Sequence, residues 1–332
     1  RCFLSSMLLI MPDSVLNIIG NGFDMHHGIH SSYKYFSVWL RQHNYELYRK
    51  LLDVCTSNEL WWNFEEVLAY VDRDYMLYAG EIMFPDSWDE DKDSIADLYY
   101  AEDMARNTGY NLWDDIVKAF RKWVSTIRWE KDSNKRKLRL DTEARYITFN
   151  YTTFLESRYG INSNQILYIH GRQSSKKNPP IIGHGDTDTF DDWLKHTSRE
   201  HNKYYRGNKS YLPEVEMMTS GVEEYFELST KPVSRIISEN HDFFEDLYDI
   251  EYIYVLGHSL NAVDMPYFQV VKAANDYPSD IKWYISYYSD PEKDKLSKAF
   301  HDHLSSDLSR LTLFKLEDMM IQTNIKENIN YD

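Results

Sequence analysis

Cysteine is nearly absent from this chain of 332 residues, which contains only Cys2 and Cys55. Two cysteines cannot form a disulfide framework or a four-cysteine zinc site, so the sequence excludes disulfide-stapled folds and zinc ribbons. We interpret Cys55 as a small buried hydrophobic side chain.

Basic residues are outnumbered by acidic ones. Lys and Arg number 37 against 53 Asp and Glu, so the formal net charge is −16 and the pI is about 5.2. A field of this sign repels phosphate backbones, which excludes a broad nucleic-acid-binding surface. The charge, together with the lack of a compact group of Asp, Glu and Lys, also disfavours a nuclease.

Long apolar runs are missing as well. No stretch approaches the roughly 18 apolar residues that cross a bilayer, so we predict no membrane partner. The run at 7–11 is too short for a secretory signal, and we interpret residues 1–12 as a dispensable extension with Met11 as the natural start. A cytoplasmic location is therefore expected. Aromatic side chains are expected to form part of the hydrophobic core, since the chain contains 27 Tyr, 15 Phe and 9 Trp.

Segments with strand character alternate with segments of helical periodicity along the chain. This alternation requires crossover connections, so it predicts an α/β fold with a mostly parallel, Rossmann-like sheet and helices on both faces. The predicted strands lie at 15–19, 144–149, 166–169, 181–182, 252–256, 281–288 and 311–316, and the main predicted helices at 33–43, 152–159, 234–247, 265–274 and 292–304.

The domain organisation predicted from these segments is a single α/β domain over 13–332 with two insertions. The first, at about 45–130, is helical and rich in Trp and Tyr, which we interpret as core residues. The second, at about 187–228, is a polar stretch of helix and loop.

Polar and glycine residues directly follow five of the predicted strands. Ligands of open parallel sheets bind beyond the carboxyl ends of the strands, so these residues are expected to converge on one cleft. They are Gly20–Asp24, Asn150–Thr152, His170–Gly171, Gly183–Gly185 and Gly257–Leu260.

The glycine pair Gly20 and Gly22 follows the first predicted strand. This arrangement lets backbone amides approach a phosphate at a helix N-terminus, although a tight turn without a ligand stays open as an alternative. A dehydrogenase fingerprint has its third glycine three residues after the second; here position 25 is Met and the next glycine is Gly28, so a dehydrogenase is disfavoured. We interpret His26-His27 as solvated loop, and we expect no metal.

Five motifs together resemble those of the bacterial abortive-infection AbiH family, in the expected order. The resemblance runs from about 15 to 275 and implies a role in defence against bacteriophage. His30 and Ser31 stand where that family usually has Pro and Thr. The motifs are Ile19–Ile29 with Ser31–Tyr33, Phe149–Thr152, Ile169–Gly171, Gly183–Gly185, and Gly257–Leu260 with Asp264.

A remoter resemblance connects the chain with sirtuins and with the sirtuin-like NAD hydrolases of phage defence, and implies a sirtuin-like sheet. The matching segments are Gly20, Gly22 and Gly28, then Thr148–Asn150, His170-Gly171 and Gly257–Leu260. The zinc ribbon of the deacetylases is missing, so lysine deacylation is disfavoured. Thr152 replaces an expected Asp, and Asp24 replaces a Ser.

This second resemblance implies roles for individual residues. Asn150 would hold the nicotinamide ribose and orient the attacking water, and His170 would act as general base or as acceptor of a ribose hydroxyl. The backbone at Gly20 and Gly22 would cradle the pyrophosphate, and Ser259 would contact the adenosine ribose or its phosphate. The full set expected at the cofactor is Gly20, Asn21, Gly22, Phe23, Asp24, Gly28, Thr152, His184, Gly257, His258, Ser259 and Asp264, with Asn150 and His170 as catalytic residues.

Structural alternatives stay open for several of these residues. Asn150 has the right side chain to cap a following helix, and His170 could be a structural histidine. His184 and His258 either line the pocket or tie loops together.

Together the two resemblances imply an abortive-infection protein that hydrolyses NAD at its nicotinamide N-glycosidic bond, with NAD as substrate. The alternative is a sensor module that binds a nucleotide or ADP-ribose without catalysis. NAD or a related nucleotide is the expected partner; a phage-derived trigger and self-association are left open.

Overall fold

The computed structural model of the protein describes residues 14–55, 57–72, 75, 94–130, 137–185 and 222–320. The predicted extension at 1–12 and most of the predicted insertion at 187–228 lie outside these residues. The chain divides into two compact units. The first takes its described residues from Arg1–Ser31, Thr126–Pro180 and Val233–Asp332, and the second from Ser32–Ser125 and Ile181–Pro232.

The first unit contains a six-stranded sheet in which every strand pairing is parallel, and its strands lie in the order third, second, first, fourth, fifth and sixth along the chain. Helices flank this sheet. The α/β, Rossmann-like fold predicted from the sequence is therefore confirmed. The strands are β1 Val15–Ile19, β2 Arg145–Thr148, β3 Ile166–Tyr168, β4 Tyr252–Leu256, β5 Lys282–Ser286 and β6 Leu311–Phe314.

Burial differs between the strands of the sheet. All five residues of β1 are buried, and β4 is buried from Ile253 onwards, because these two strands lie at the centre of the sheet. β5 alternates in exposure, and every residue of β6, at the edge, is half-buried.

The pairing of β1 with β4 marks the switch point of the sheet. From β1 the chain continues outward through β2 and β3, whereas from β4 it continues in the opposite direction through β5 and β6. Crossovers that leave in opposite directions open a crevice at the carboxyl ends of the two central strands. Ile19 pairs with Leu256, so Gly20 and Gly257 leave the sheet side by side in this crevice.

The helices of the first unit differ from the sequence prediction in three places: the helix Asn21–His26 was not predicted, the helix predicted at 152–159 begins only at Leu155, and one predicted helix is divided. A single helix is predicted at 234–247, but the structure has two, Val233–Glu239 and His241–Glu245. The interruption lies at Asn240, whose side-chain amide donates to the Ile236 carbonyl at 2.7 Å and competes with the helical backbone. The remaining helices are Asn21–His26, the π-helix Leu155–Tyr159, Met265–Ala274 and Asp290–His303, with short 3-10 turns at Ser163–Gln165, Ala262–Asp264, Leu308–Arg310 and Leu316–Met319.

The described part of the second unit is helical and has an aromatic core. The Phe36 ring lies 5.5 Å from Phe64 and 5.5 Å from Phe120, and all three side chains are fully buried. The helices are Tyr33–His43, Tyr45–Val54, Phe64–Val67, Ser94–Thr126 and 222–229, with a 3-10 turn at Leu68–Tyr70.

One predicted strand is wrong. The segment 181–185 does not join the sheet, and its only described pairing is an isolated bridge between His184 and Thr230 in the second unit. The amide of His184 donates to the Ser229 carbonyl at 2.9 Å, and the Lys231 amide donates to the His184 carbonyl at 2.8 Å. The end of a neighbouring helix thus takes the backbone groups that a strand partner would need.

Candidate functional site

The loops that follow β1 and β4 are joined through their backbones. The Gly20 amide donates to the Leu256 carbonyl at 2.9 Å, and the Gly22 amide donates to the Gly257 carbonyl at 2.8 Å. A Cβ atom on Gly20 would lie 2.5 Å from the Gly257 oxygen, so this close approach requires glycine. Both amides are therefore bonded within the protein, and pyrophosphate binding by this loop, which stays a prediction, needs other donors.

The helix Asn21–His26 is anchored by the histidine that follows it. His27 Nδ1 donates to the Phe23 carbonyl at 2.7 Å, and the Tyr159 hydroxyl donates to His27 Nε2 at 2.7 Å. The interpretation of His26-His27 as solvated loop is wrong for both residues: His26 is the last residue of the helix and its side chain is 8% exposed, and the His27 side chain is buried against Phe23, Phe154 and Tyr159. Phe23 is itself fully buried, whereas Gly28 is exposed and ends the helix.

A buried carboxyl group lies on this helix. Asp24 is 1% exposed, and it accepts a hydrogen bond from the Thr152 hydroxyl at 2.7 Å. Burial raises the pKa of Asp24 to about 7, although hydrogen bonds from the Thr152 and Asn150 side chains act in the opposite direction. Asp24 and Thr152, which both depart from the sirtuin pattern, are thus direct partners.

Asn150 lies beside this pair at the end of β2. Its Nδ2 atom donates to the Gly20 carbonyl at 3.0 Å, and its backbone amide donates to the Thr148 hydroxyl at 3.1 Å. The helix-cap alternative is wrong, because the next helix, Leu155–Tyr159, has Phe154 as its N-cap. The Asn150 Oδ1 atom is buried and has no hydrogen-bond partner within the described ranges.

Two histidines share one carboxylate at the ends of β3 and β4. His170 Nε2 lies 3.5 Å from Asp264 Oδ1, and His258 Nε2 lies 3.3 Å from Asp264 Oδ2. The Leu260 amide donates to His258 Nδ1 at 3.0 Å, which places the proton of a neutral His258 on Nε2, towards Asp264. His258 therefore contacts Asp264 within the segment that follows β4, and its place in a ligand pocket stays a prediction.

Aromatic rings enclose this group, and the site residues expected from the sequence do not include them. The Phe149 ring lies 4.4 Å from His258 and 5.3 Å from His170, and the Tyr267 ring lies 6.2 Å from His170. Ser286, at the end of β5, was also missed; its hydroxyl accepts a 2.7 Å hydrogen bond from the Gly257 amide. Phe149 could have been found from its position between a strand and Asn150.

The other expected residues differ in their surroundings. Asn21 and Ser259 are exposed at the ends of β1 and β4, and Asn21 Oδ1 accepts a hydrogen bond from Ser31 at 2.5 Å. His184 belongs to the second unit, where its Nε2 atom lies 3.0 Å from the Ser229 hydroxyl. Ser229 donates its own proton to the Tyr225 carbonyl, so His184 is the donor in this pair and ties two segments together. Its contact with a cofactor stays a prediction.

Metal-binding side chains come together at one place in the described residues. His241, Asp242 and Glu245 are close enough to hold an ion, but all three are exposed on one short helix and are separate from the strand ends. None of the described helices is both long and apolar enough to cross a membrane.

The fold and the site define a Rossmann-like α/β protein whose buried amide, carboxyl and imidazole groups lie at the ligand-binding ends of the strands. The family model described as bacteriophage abortive infection AbiH matches residues 16–287. The chain therefore belongs to the AbiH family, which supports a role in phage abortive infection. Comparison with curated proteins gave no match, and comparison with solved structures gave none.

Proposed function

We propose that the protein hydrolyses NAD at the nicotinamide N-glycosidic bond during abortive infection. The observation that supports this proposal is the placement of Asn150 and His170. Thr148 pairs with Tyr168, so these two side chains follow neighbouring strands, each two residues beyond a paired position. Asn150 has a buried amide whose Oδ1 atom has no hydrogen-bond partner among the described residues. His170 has an imidazole that faces the Asp264 carboxylate. The strand order is that of dinucleotide-binding sheets.

The reaction makes specific demands on these groups. The bond between ribose C1′ and the nicotinamide nitrogen breaks, its electron pair stays with the nitrogen, and water adds to C1′ and loses a proton. Positive charge builds up on the sugar, so the site must hold the ribose and remove the water proton. The Asn150 oxygen can accept a hydrogen bond from a ribose hydroxyl or from the water without adding charge.

His170 is the candidate base. His170 Nε2 lies 3.5 Å from Asp264 Oδ1, and a neutral imidazole keeps one nitrogen that can take up a proton. Asp264 also stabilises the imidazolium that forms when the water proton is taken up. We therefore assign Asp264 to positioning His170 instead of to cofactor contact.

The anionic part of NAD needs neutral donors in this acidic protein. The Gly20 and Gly22 amides are already bonded within the protein. We therefore propose that Asn21 binds the pyrophosphate and that Ser259 contacts the adenosine ribose. The hydrogen bond from Ser31 to Asn21 Oδ1 leaves the amide NH2 group of Asn21 as its donor side.

The test is to incubate purified protein, with and without extract from phage-infected cells, with NAD and to measure ADP-ribose and nicotinamide by mass spectrometry. Asn150→Ala and His170→Ala should abolish turnover while their unfolding curves stay cooperative. The matched controls are Asn164→Ala and His301→Ala, which change exposed residues of the same types. Intact NAD in infected cells that are nonetheless protected would contradict the proposal.

Burial favours a second candidate, a nucleotide sensor without turnover. Asn150 and His258 are each 5% exposed and His170 is 3% exposed, so water has little access to them. A nucleotide that co-purifies and is never cleaved, together with full phage protection by His170→Ala, would select the sensor.

A further inference from the structure

The proposed function leaves the buried carboxyl group of Asp24 without a role. Asp24 comes from the helix after β1, and it touches the two polar residues that follow β2, Asn150 and Thr152. A buried carboxyl bonded to a residue of the site is a candidate for controlling that residue.

The orientation of the Asn150 side chain depends on its neighbours. An amide has a donor side and an acceptor side, and the groups around it decide which way it is turned. The Gly20 carbonyl can only accept, and the Asp24 carboxylate also only accepts when it is ionised. Both acceptors therefore bind the NH2 group of Asn150, so its Oδ1 atom points away from them. That atom is the one without a described partner.

We propose that Asp24 is a positioning residue that fixes the Asn150 amide so that its Oδ1 atom accepts a hydrogen bond from a hydroxyl group of the substrate ribose. Thr152 supports this arrangement, because its hydroxyl donates a hydrogen bond to Asp24 Oδ2 and holds the carboxylate in place. This inference rests on the proposed function for the identity of the hydroxyl donor.

Protonation of Asp24 weakens this arrangement. A carboxylic acid can donate to Asn150, so it no longer requires the NH2 group on its side. The pKa of Asp24 is about 7, which places the change near neutral pH. Among the described residues, Tyr168 on β3 interacts electrostatically with Asp24, and its hydroxyl bonds Glu156 beside Arg172. Burial raises the pKa of Tyr168, so it stays neutral in this range.

The first measurement does not depend on NAD. In protein labelled with 15N at asparagine, the side-chain NH2 signal of Asn150, assigned with Asn150→Ala, should titrate with a midpoint near the pKa of Asp24. Thr152→Val removes a hydrogen bond that favours the carboxylate, so the midpoint should move up by roughly one pH unit. Thr152→Ser should restore it, and Thr142→Val, at an exposed threonine, should not change it. A midpoint that is the same in Thr152→Val would overturn the proposal.

The second measurement is turnover. Asp24→Leu removes the acceptor, and kcat should fall at least about tenfold with a smaller change in KM, because the ribose is held less well in the transition state. A folded Asp24→Leu variant with the kcat of the wild type overturns the inference. If the wild type cleaves no NAD but the Asn150 signal follows Asp24, the proposed function fails and the positioning role stands. If Asp24→Leu does not fold, the midpoint in Thr152→Val decides.

Discussion

The amide of Gly22 donates a 2.8 Å hydrogen bond to the carbonyl of Gly257, which joins the loops after the two central strands at the switch point of the sheet. The same contact leaves no room for side chains, since a Cβ atom on Gly22 would lie 2.9 Å from the Gly257 Cα atom. The polar residues that follow each loop, Asp24 on one side and His258 on the other, are thus placed by a backbone contact.

Gly257→Ala should destabilise the protein strongly. Its φ of +68° is unfavourable for alanine, and the new Cβ atom would also collide with the Phe23 amide. We expect a loss of about 3 kcal/mol in the free energy of unfolding, measured by urea denaturation. Gly28→Ala is the matched control: its φ is +76° but nothing lies within 4 Å, so it should cost only about 1 kcal/mol. Equal losses in the two variants would refute the packing argument.

Asp264→Asn should reduce NAD turnover and leave the protein folded. The amide is close in shape to the carboxylate but has no negative charge with which to stabilise an imidazolium. We expect kcat to fall by about 10²-fold or more, measured by nicotinamide release. Asp302→Asn is the control, because it changes an aspartate that bonds His301 at 2.9 Å on the surface. Unchanged kcat in Asp264→Asn would remove His170 from its proposed role as base.

Strands and helices with unambiguous apolar patterns were predictable from the sequence. β1, β4 and the helix Met265–Ala274 have the bounds that their patterns indicate, because burial on both faces or on one stripe leaves a clear signal. The segment 181–185 gave a false signal, since two isoleucines beside glycine do not reveal which backbone groups will be their partners. The break at Asn240 depends on one side-chain hydrogen bond.

The sequence predicted which residues belong to the site, but not how their polar groups are bonded. Residues directly after strands must meet at one edge of a parallel sheet, which is why Asn150, His170 and His258 could be chosen. The bonding of each group could not be predicted, because it depends on distant residues. The Gly20 amide bonds the last residue of β4, the Gly22 amide bonds the loop after it, and His27 is buried by Tyr159.

Glu65→Gln should destabilise the second unit. The Lys231 side chain is fully buried, and its Nζ atom lies 3.0 Å from Glu65 Oε2. Loss of the negative charge leaves a buried ammonium group without its salt-bridge partner, so we expect a cost of about 3 kcal/mol in urea unfolding. Lys231→Met with Glu65→Leu removes both charges and should recover much of the loss. Glu239→Gln is the control, because Glu239 pairs with Arg235 on the surface. A double variant less stable than Glu65→Gln would contradict this explanation.

Asp24→Asn should change how stability depends on pH. The pKa of Asp24 rises from an ordinary 3.8 to about 7 on folding, so the native state binds the proton more tightly than the unfolded state does. The contribution of Asp24 to the free energy of unfolding therefore falls as pH rises from about 4 to 7 and levels off above pH 7, by an amount on the order of a few kcal/mol. The substituted amide carries no charge, so the variant should gain stability relative to the wild type over the same interval. Urea unfolding of both proteins at pH 5 and pH 8 measures the difference. If the difference in free energy of unfolding between the variant and the wild type is the same at pH 5 and pH 8, Asp24 is ionised in the native protein at both pH values. If the difference is larger at pH 8, the ionised carboxylate lowers the stability of the native protein.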